Sequence, residues 1–304
     1  SSYLCHAGHA AAAIAAGKCS VALVTMAGKP RTGSIGTNRD PDLRPEVPFE
    51  NVFGTSTVGK YALAAQRHMY EHGTTREQLA EIRVAASEHA QYNEDAMYTD
   101  PVTVDDVIES RPISEPLHLL DCCVISDGGG AVVVVDSELA EELGRDCVPV
   151  LGHGEAVRHH GGGKIDLTRT AADESGPRAF EEAGVTPEDV DYASIYDSFT
   201  ITVLETIEDL GFCEKGEGGS FVESGGLRAP DGELPFNTDG GGLCNNHPSN
   251  RGGMTKIIEA VRQLRGETAP EVQVPDAEIA LAHGTGGGLT RMGCGTLVMG
   301  GGNV

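Results

Sequence analysis

Three stretches of the chain combine residues able to move protons with glycines that let a backbone come close to them. The densest is Asn237-Thr-Asp-Gly-Gly-Gly-Leu-Cys-Asn-Asn-His-Pro248, where a glycine run leads to His247, held against Pro248. Asn237, Asp239 and Asn246 tolerate turn geometry, and the glycines permit positive φ and close backbone approach. The second stretch is Tyr196-Asp-Ser-Phe199 and the third His283-Gly-Thr-Gly-Gly-Gly288. Two neutral imidazoles, His247 and His283, at strand–loop junctions are suited to acid/base work near neutral pH. Backbone N–H groups of the glycine loops could meet an oxyanion there. Tyr196 closes a short strand and either presents its phenol to a pocket or packs. Asp197 or Ser198 is equally a helix N-cap. Cys5, near a helix start, reads either as a stabilised thiolate or as a buried structural cysteine.

Other chemistries are disfavoured by spacing. His6 and His9 share a helix face, yet no third ligand is indicated, and Cys122-Cys123 lacks the gap of a zinc knuckle, so no metal site is expected. His159-His-Gly-Gly-Gly-Lys164 has neither the context nor the following Ser/Thr of a P-loop, which argues against nucleoside triphosphate chemistry. The net charge of −24, from 46 acidic against 22 basic residues, repels nucleic acid and anionic membranes and points to small molecules or proteins as partners. Such acidity, with only six lysines, fits a high-salt cytoplasm or simply an acidic proteome. The eight cysteines have no paired spacing and read as reduced thiols of a cytoplasmic protein. No apolar run reaches the ~20 residues of a membrane span.

The elements that must position these residues alternate. A helix is expected over 6–17, ended by Gly17, and a buried strand over 21–26. Residues 28–117 read as an excursion holding helices at 56–72 and 75–90, with 91–117 irregular. A glycine turn then leads to a buried strand ending at Asp136, followed by a helix over 137–144 and a boundary near 147. Beyond it come a strand from 148, a helix over 173–183, a capped turn at 186–190, a strand over 192–196 and a helix over 199–210. The order then runs through a glycine-rich loop over 216–232 and a helix over 251–265, and closes on strand, glycine loop and strand over 278–299. Alternation of this kind makes an α/β protein. The Gly-Gly-Gly before the strands near 128 and 294 hints at duplication.

Taken together, Asn237…His247-Pro248, Tyr196-Asp-Ser-Phe199 and His283-Gly-Thr-Gly-Gly-Gly288 resemble, in order, three active-site loops of the thiolase superfamily, with Leu120-Asp-Cys…Ser126-Asp-Gly-Gly-Gly-Ala-Val-Val133 and Val261-Arg-Gln-Leu-Arg-Gly266 in support. The likeness is strongest to the sterol-carrier-protein type and lipid-transfer-protein-like branch. It implies a thiolase fold of duplicated βαβαβαββ halves in αβαβα layers, with the first half incomplete: 1–147 is the remainder of one half and 148–304 the other. It also implies a homodimer, a coenzyme A thioester as substrate and no permanently bound cofactor. The family's nucleophilic cysteine would fall just before Ser1, so the chain reads as truncated at its start.

His247 matches the family histidine that activates the nucleophile and holds the thioester oxygen, although Asn246 replaces a glycine there. Tyr196 stands where relatives have Asn or His, Ser198 where some have a catalytic Cys, and Gly284 in the slot of the acid/base Cys. The reading is therefore acyl transfer with His247 as base, His283 or Tyr196 as proton donor, and Gly286, Asn237 and Ser198 around the thioester. The alternative is retro-aldol cleavage of a 3-hydroxyacyl-CoA, with Tyr196 as acid/base and a small partner built from an OB-fold and a zinc ribbon. A non-catalytic acyl-CoA or lipid-binding scaffold is the third reading.

Overall fold

The computed structural model describes residues 2–33, 56–144, 147–158, 165–249, 252–286 and 293–301. Helix α1, Ser2–Ala15, begins four residues before its expected start and is stopped at Gly17, whose φ of 67° only glycine adopts at no cost. Its buried face is Leu4, Ala7, Gly8, Ala10 and Ile14, small enough to lie between two sheets. One sheet is the antiparallel pair β1, Val21–Gly28, and β4, Gly128–Val135. The other has the order β5-β8-β7-β6, with β5 at Val150–Val157, β6 at Tyr192–Ile195, β7 at Ile279–Gly286 and β8 at Gly293–Gly300. Within it β6 and β7 run parallel and the other pairs antiparallel.

Helix α9, Gly253–Leu264, joins α1 between the sheets, where Leu4, Ile257 and Ala260 meet Tyr192, Ala280, Ala282 and Leu297. The far face of the larger sheet is covered by α6, Ala172–Ala183, and α7, Thr200–Asp209, through Phe180, Ile201, Leu204 and Ile207 on Ile195, Ile279, Leu281 and Val298. Among the described residues the layers thus run helix, four-stranded sheet, helix, two-stranded sheet. This is the expected layered α/β arrangement.

The strands at 21–26 and 128–136 were expected to be buried, and they are buried on one face only. Because, among the described residues, β1 and β4 are covered from the α1 side alone, Val24 and Met26 are enclosed while Leu23 is 65% and Val133 60% exposed. Side chains that alternate across a pleat cannot all be covered by one layer.

The excursion contains α2, Thr57–His72, capped by Ser56, and α3, Arg76–Ala90, opened by a capping box in which Thr75 and Gln78 exchange hydrogen bonds. Residues 34–55 of it lie outside the described residues. The stretch 91–117 is less irregular than expected. It forms α4, Val104–Glu109, behind a Thr103–Asp106 capping box, and the antiparallel pair β2, Pro112–Ser114, and β3, Leu117–His118. Helix α5, Ser137–Leu143, falls where the sequence places it.

The glycine-rich loop at 216–232 encloses another unexpected helix, α8, Gly218–Glu223. Its glycines serve packing: a Cβ at Gly219 would run into the Gln78 amide, and one at Gly218 would sit 2.7 Å from Glu208 Oε1. The third expected glycine loop begins later than predicted, since β7 continues through His283 to Gly286. No described helix is long and apolar enough to cross a membrane.

Strand β5 meets α6 through Gly152 and Gly154, where any Cβ would run into the carbonyls of Ala179 and Ser175. Helix backbone cannot yield as a side-chain tip can, so a methyl group there must push α6 off the sheet. Gly154→Ala should therefore destabilise the fold by about 2–3 kcal/mol, read as a lower urea midpoint. An unchanged midpoint would contradict this packing.

Candidate active site

At the C-terminal end of β6 the chain turns through Tyr196 into α7. Here the loop 237–248 closes over it, as sites do at the ends of parallel strands. Asn237, with φ 42°, starts this loop by hydrogen-bonding along β6: its Nδ2 donates to Ile195 O at 2.8 Å, and its Oδ1 accepts from Ile195 N at 2.8 Å. Ala193 completes the register, donating to Pro235 O and accepting from Asn237 N. The loop then makes a single π-helical turn, Gly241–Asn245, entered through Gly240 and Gly241 with φ of 90° and 60°.

The turn is fixed by Asp197, which is fully buried and accepts from Gly242 N at 2.8 Å and Leu243 N at 3.1 Å. A Cβ at Gly241 would run into this carboxylate, which explains the glycine. Lys256, buried on α9, places Nζ 3.2 Å from Asp197 Oδ1 at an angle outside hydrogen-bond geometry, so charge alone holds the pair. On the other side, residues 123–126 bind both loops. Cys123 N donates to Ser198 O, Val124 N to Gly242 O, and Ser126 Oγ accepts from His247 N at 2.9 Å.

The outcome is a dyad. Tyr196 Oη lies 2.6 Å from His247 Nε2 and 3.3 Å from Ser249 O, with the rings 5.2 Å apart. Either the phenol donates to Nε2, or Nε2–H donates to the phenol while the phenol donates to Ser249 O. Gly252 makes room, because a Cβ there would stand 2.7 Å from Tyr196 Cε2. Removal from water lowers the His247 pKa to about 4; Asp197 opposes this and Lys256 reinforces it. Burial likewise raises Tyr196 well above the ordinary phenol value, with Tyr61, Cys123 and Asp197 adding to it. Near neutral pH the dyad is a neutral imidazole against a protonated phenol, so a proton can pass between them without creating a buried charge beforehand.

The other expected site residues are placed apart from this dyad. His283 contributes its carbonyl, which accepts from Tyr196 N at 2.9 Å, while its side chain turns to the α6 face. There Nδ1 is 2.9 Å from Thr296 Oγ1, itself 2.9 Å from Ser175 Oγ on α6. Complete burial depresses the His283 pKa to about 3. Ser198 Oγ pairs with Thr202 Oγ1 at 3.2 Å, and both amide groups of Asn237 are used on β6. Gly286 ends β7 opposite Gly293, and the N–H groups just after it lie outside the described residues. Cys5 is not an activated thiolate: burial and the neighbouring Glu155 carboxylate push its thiol up to about 11.

Sequence reasoning missed Ser126, Lys256 and Gly252. The signal for Lys256 was present, since it falls within the apolar stripe of Met254, Ile257 and Ala260, where a lysine must find a buried partner.

A layered α/β fold with a histidine on a glycine loop at the end of a parallel strand is the architecture of thiolase-type enzymes. Comparison agrees: the family model described as thiolase C-terminal domain-like matches residues 154–299. An acetyl-CoA acetyltransferase from Methanothermobacter thermautotrophicus is 40% identical over 84% of this chain and 65% of its own length. A 17-hydroxy-3-oxo-4-pregnene-20-carboxyl-CoA lyase from Mycobacterium tuberculosis is 33% identical over 91% of this chain and 75% of its own. The solved Ltp2-ChsH2(DUF35) aldolase superposes with a TM-score of 0.88 at 32% identity, covering 98% of this chain and 77% of that one. The chain belongs to the thiolase superfamily. Some relatives are much longer, and the chain spans 65% of the acetyltransferase it matches.

Buried neutral histidines make stability depend on pH. His89, with a pKa lowered to about 4, and His283, at about 3, take up protons more readily once unfolded, where the value is near 6.5. Their contribution is complete above about pH 6.5 and declines as pH falls toward 4, by on the order of 3 kcal/mol for each fully buried ring. His247, whose edge still meets solvent, adds less. The urea midpoint should drop between pH 7 and pH 5, and His283→Gln should drop less than the parent; equal losses would remove His283 from this account.

Proposed function

We propose that the chain acts on an acyl-CoA thioester, making or breaking the carbon–carbon bond between C2 and C3, and that aldol-type cleavage of a 3-hydroxyacyl-CoA is the reaction its site serves best. The observation that carries this is the 2.6 Å contact between Tyr196 Oη and His247 Nε2. A phenol so held can take the proton of a 3-hydroxyl group while passing its own to the imidazole. The C2–C3 bond then breaks, the C3–O bond becomes a carbonyl, and the electron pair moves to C2 as a thioester enolate. Return of the proton from His247 through Tyr196 to C2 completes the cycle with both residues restored. The extensive likeness to a solved aldolase supports this direction.

Acyl transfer is the second reading. In it His247 is the base for a thiol nucleophile supplied from outside the described residues, and the likeness to an acetyl-CoA acetyltransferase favours it. For both readings we include a homodimer in the cytoplasm, no resident cofactor and a small acyl-CoA-binding partner of the OB-fold and zinc-ribbon type. The solved relative named for two components motivates the partner.

The test is to supply 3-hydroxyacyl-CoA and follow aldehyde or ketone release, and in parallel 3-ketoacyl-CoA with free CoA. Tyr196→Phe should lower kcat for carbonyl release by at least about 100-fold, and His247→Gln by a similar factor. Carbonyl release undiminished in Tyr196→Phe rules out the relay. Thiolysis in the absence of carbonyl release establishes the second reading instead.

A further inference from the structure

Away from the dyad, α1 and the edge strand β5 bring together four side chains that the sequence keeps far apart. Cys5 and His9 stand one helical turn apart on α1, and His153 and Glu155 share the α1-facing side of β5. The Cys5 sulfur, a His153 ring nitrogen and a Glu155 carboxylate oxygen lie within 4.8 Å of one another, and His9 Nε2 is 3.1 Å from Glu155 Oε1. No other trio of His, Cys, Asp or Glu among the described residues brings its ligand atoms so close.

We propose that Cys5, His9, His153 and Glu155 form a tetrahedral site for a divalent cation of the zinc class. One thiolate, two imidazoles and one carboxylate are a donor set that suits Zn2+. In such a site neighbouring ligand atoms stand about 3.5 Å apart, so adjustments of about 1 Å close the Cys5, His153 and Glu155 trio around an ion, and the exposed His9, already 3.1 Å from Glu155, turns in as the fourth ligand.

Three further observations bear on the site. His153 Nε2 is buried with no hydrogen-bond partner in the protein. The ring is fixed in place: it lies flat on Gly8, where any Cβ would run into it, and its backbone N–H donates to Glu182 Oε2 at 2.7 Å. Finally, the His9 and Glu155 side chains are 62% and 46% exposed, which leaves an entry path from solvent. With no cation the cluster sets a carboxylate beside a thiol; a bound divalent ion would displace the thiol proton and convert Cys5 to a ligand. The site would tie the helix between the sheets to the edge of the larger one, and it involves neither Tyr196 nor His247.

The test uses the whole chain after chelator washing. Co2+ as probe should add one equivalent with a thiolate-to-metal charge-transfer band and tetrahedral d–d absorption, which Zn2+ then displaces. Zn2+ should raise the thermal midpoint in proportion to the logarithm of its free concentration. Cys5→Ser should remove the charge-transfer band, Glu155→Gln should weaken binding at least about tenfold, and Cys19→Ser, at an exposed thiol, should leave both unchanged. Glu155→Gln alters a half-exposed side chain and carries the test even where Cys5→Ser fails to fold. A charge-transfer band that survives Cys5→Ser, Co2+ affinity unaltered in Glu155→Gln, or a midpoint indifferent to Zn2+ would overturn the assignment.

Discussion

The buried carboxylate of Asp197 is the constraint on which the site depends. It takes two N–H groups from a π-helical turn and balances the Lys256 ammonium that α9 carries inward toward it. A buried ion pair of this kind contributes little to stability relative to an apolar pair, yet removing one partner leaves the other uncompensated, typically at a cost of about 3–5 kcal/mol. Its effect is to allow one arrangement of the loop that carries His247. Neutral dipoles on both oxygens and a cation at 3.2 Å also set the field in which the imidazole stays unprotonated.

Secondary structure and the position of the dyad were legible in the residues because both rest on local chemistry. Capping residues at Ser56 and Thr75, stop glycines at 17, 73, 184 and 211, and the strands around them report backbone geometry directly. Tyr196 and His247 were legible because each sits beside punctuation that has no use in a plain turn. What remained hidden was three-dimensional. The side-chain direction of His283 follows from the pleat parity of β7: the strand runs unbroken through Gly286, so His283 continues the face of Ile279 and Leu281 instead of turning into a loop. Glycines at 218 and 219 read as loop residues, although they are spaces for Gln78 and Glu208. The cluster at Cys5 and Glu155 joins positions about 150 apart, so no spacing rule could reach it.

The overall charge and the site pull in different directions. An acyl-CoA substrate of the kind proposed brings phosphates to a chain of net charge −24. At low ionic strength that field opposes encounter, whereas in about 1 M salt, with a screening length near 3 Å, only adjacent charges matter. The high-salt cytoplasm considered from composition would remove that obstacle. The dyad itself is neutral and indifferent to screening.

The hydrogen bonds of residues 235–237 along β6 have a consequence beyond placing the loop. β6 is an outer strand, and an outer strand with free N–H and C=O groups is a template for joining another chain. Pro235 and Asn237 occupy those groups at Ala193 and Ile195, so the segment that begins the His247 loop also blunts the sheet. Any motion that lifted this loop from its root would uncover a sticky edge. Keeping that edge covered requires the base of the loop to stay seated, so any freedom of the His247 loop lies beyond Asn237.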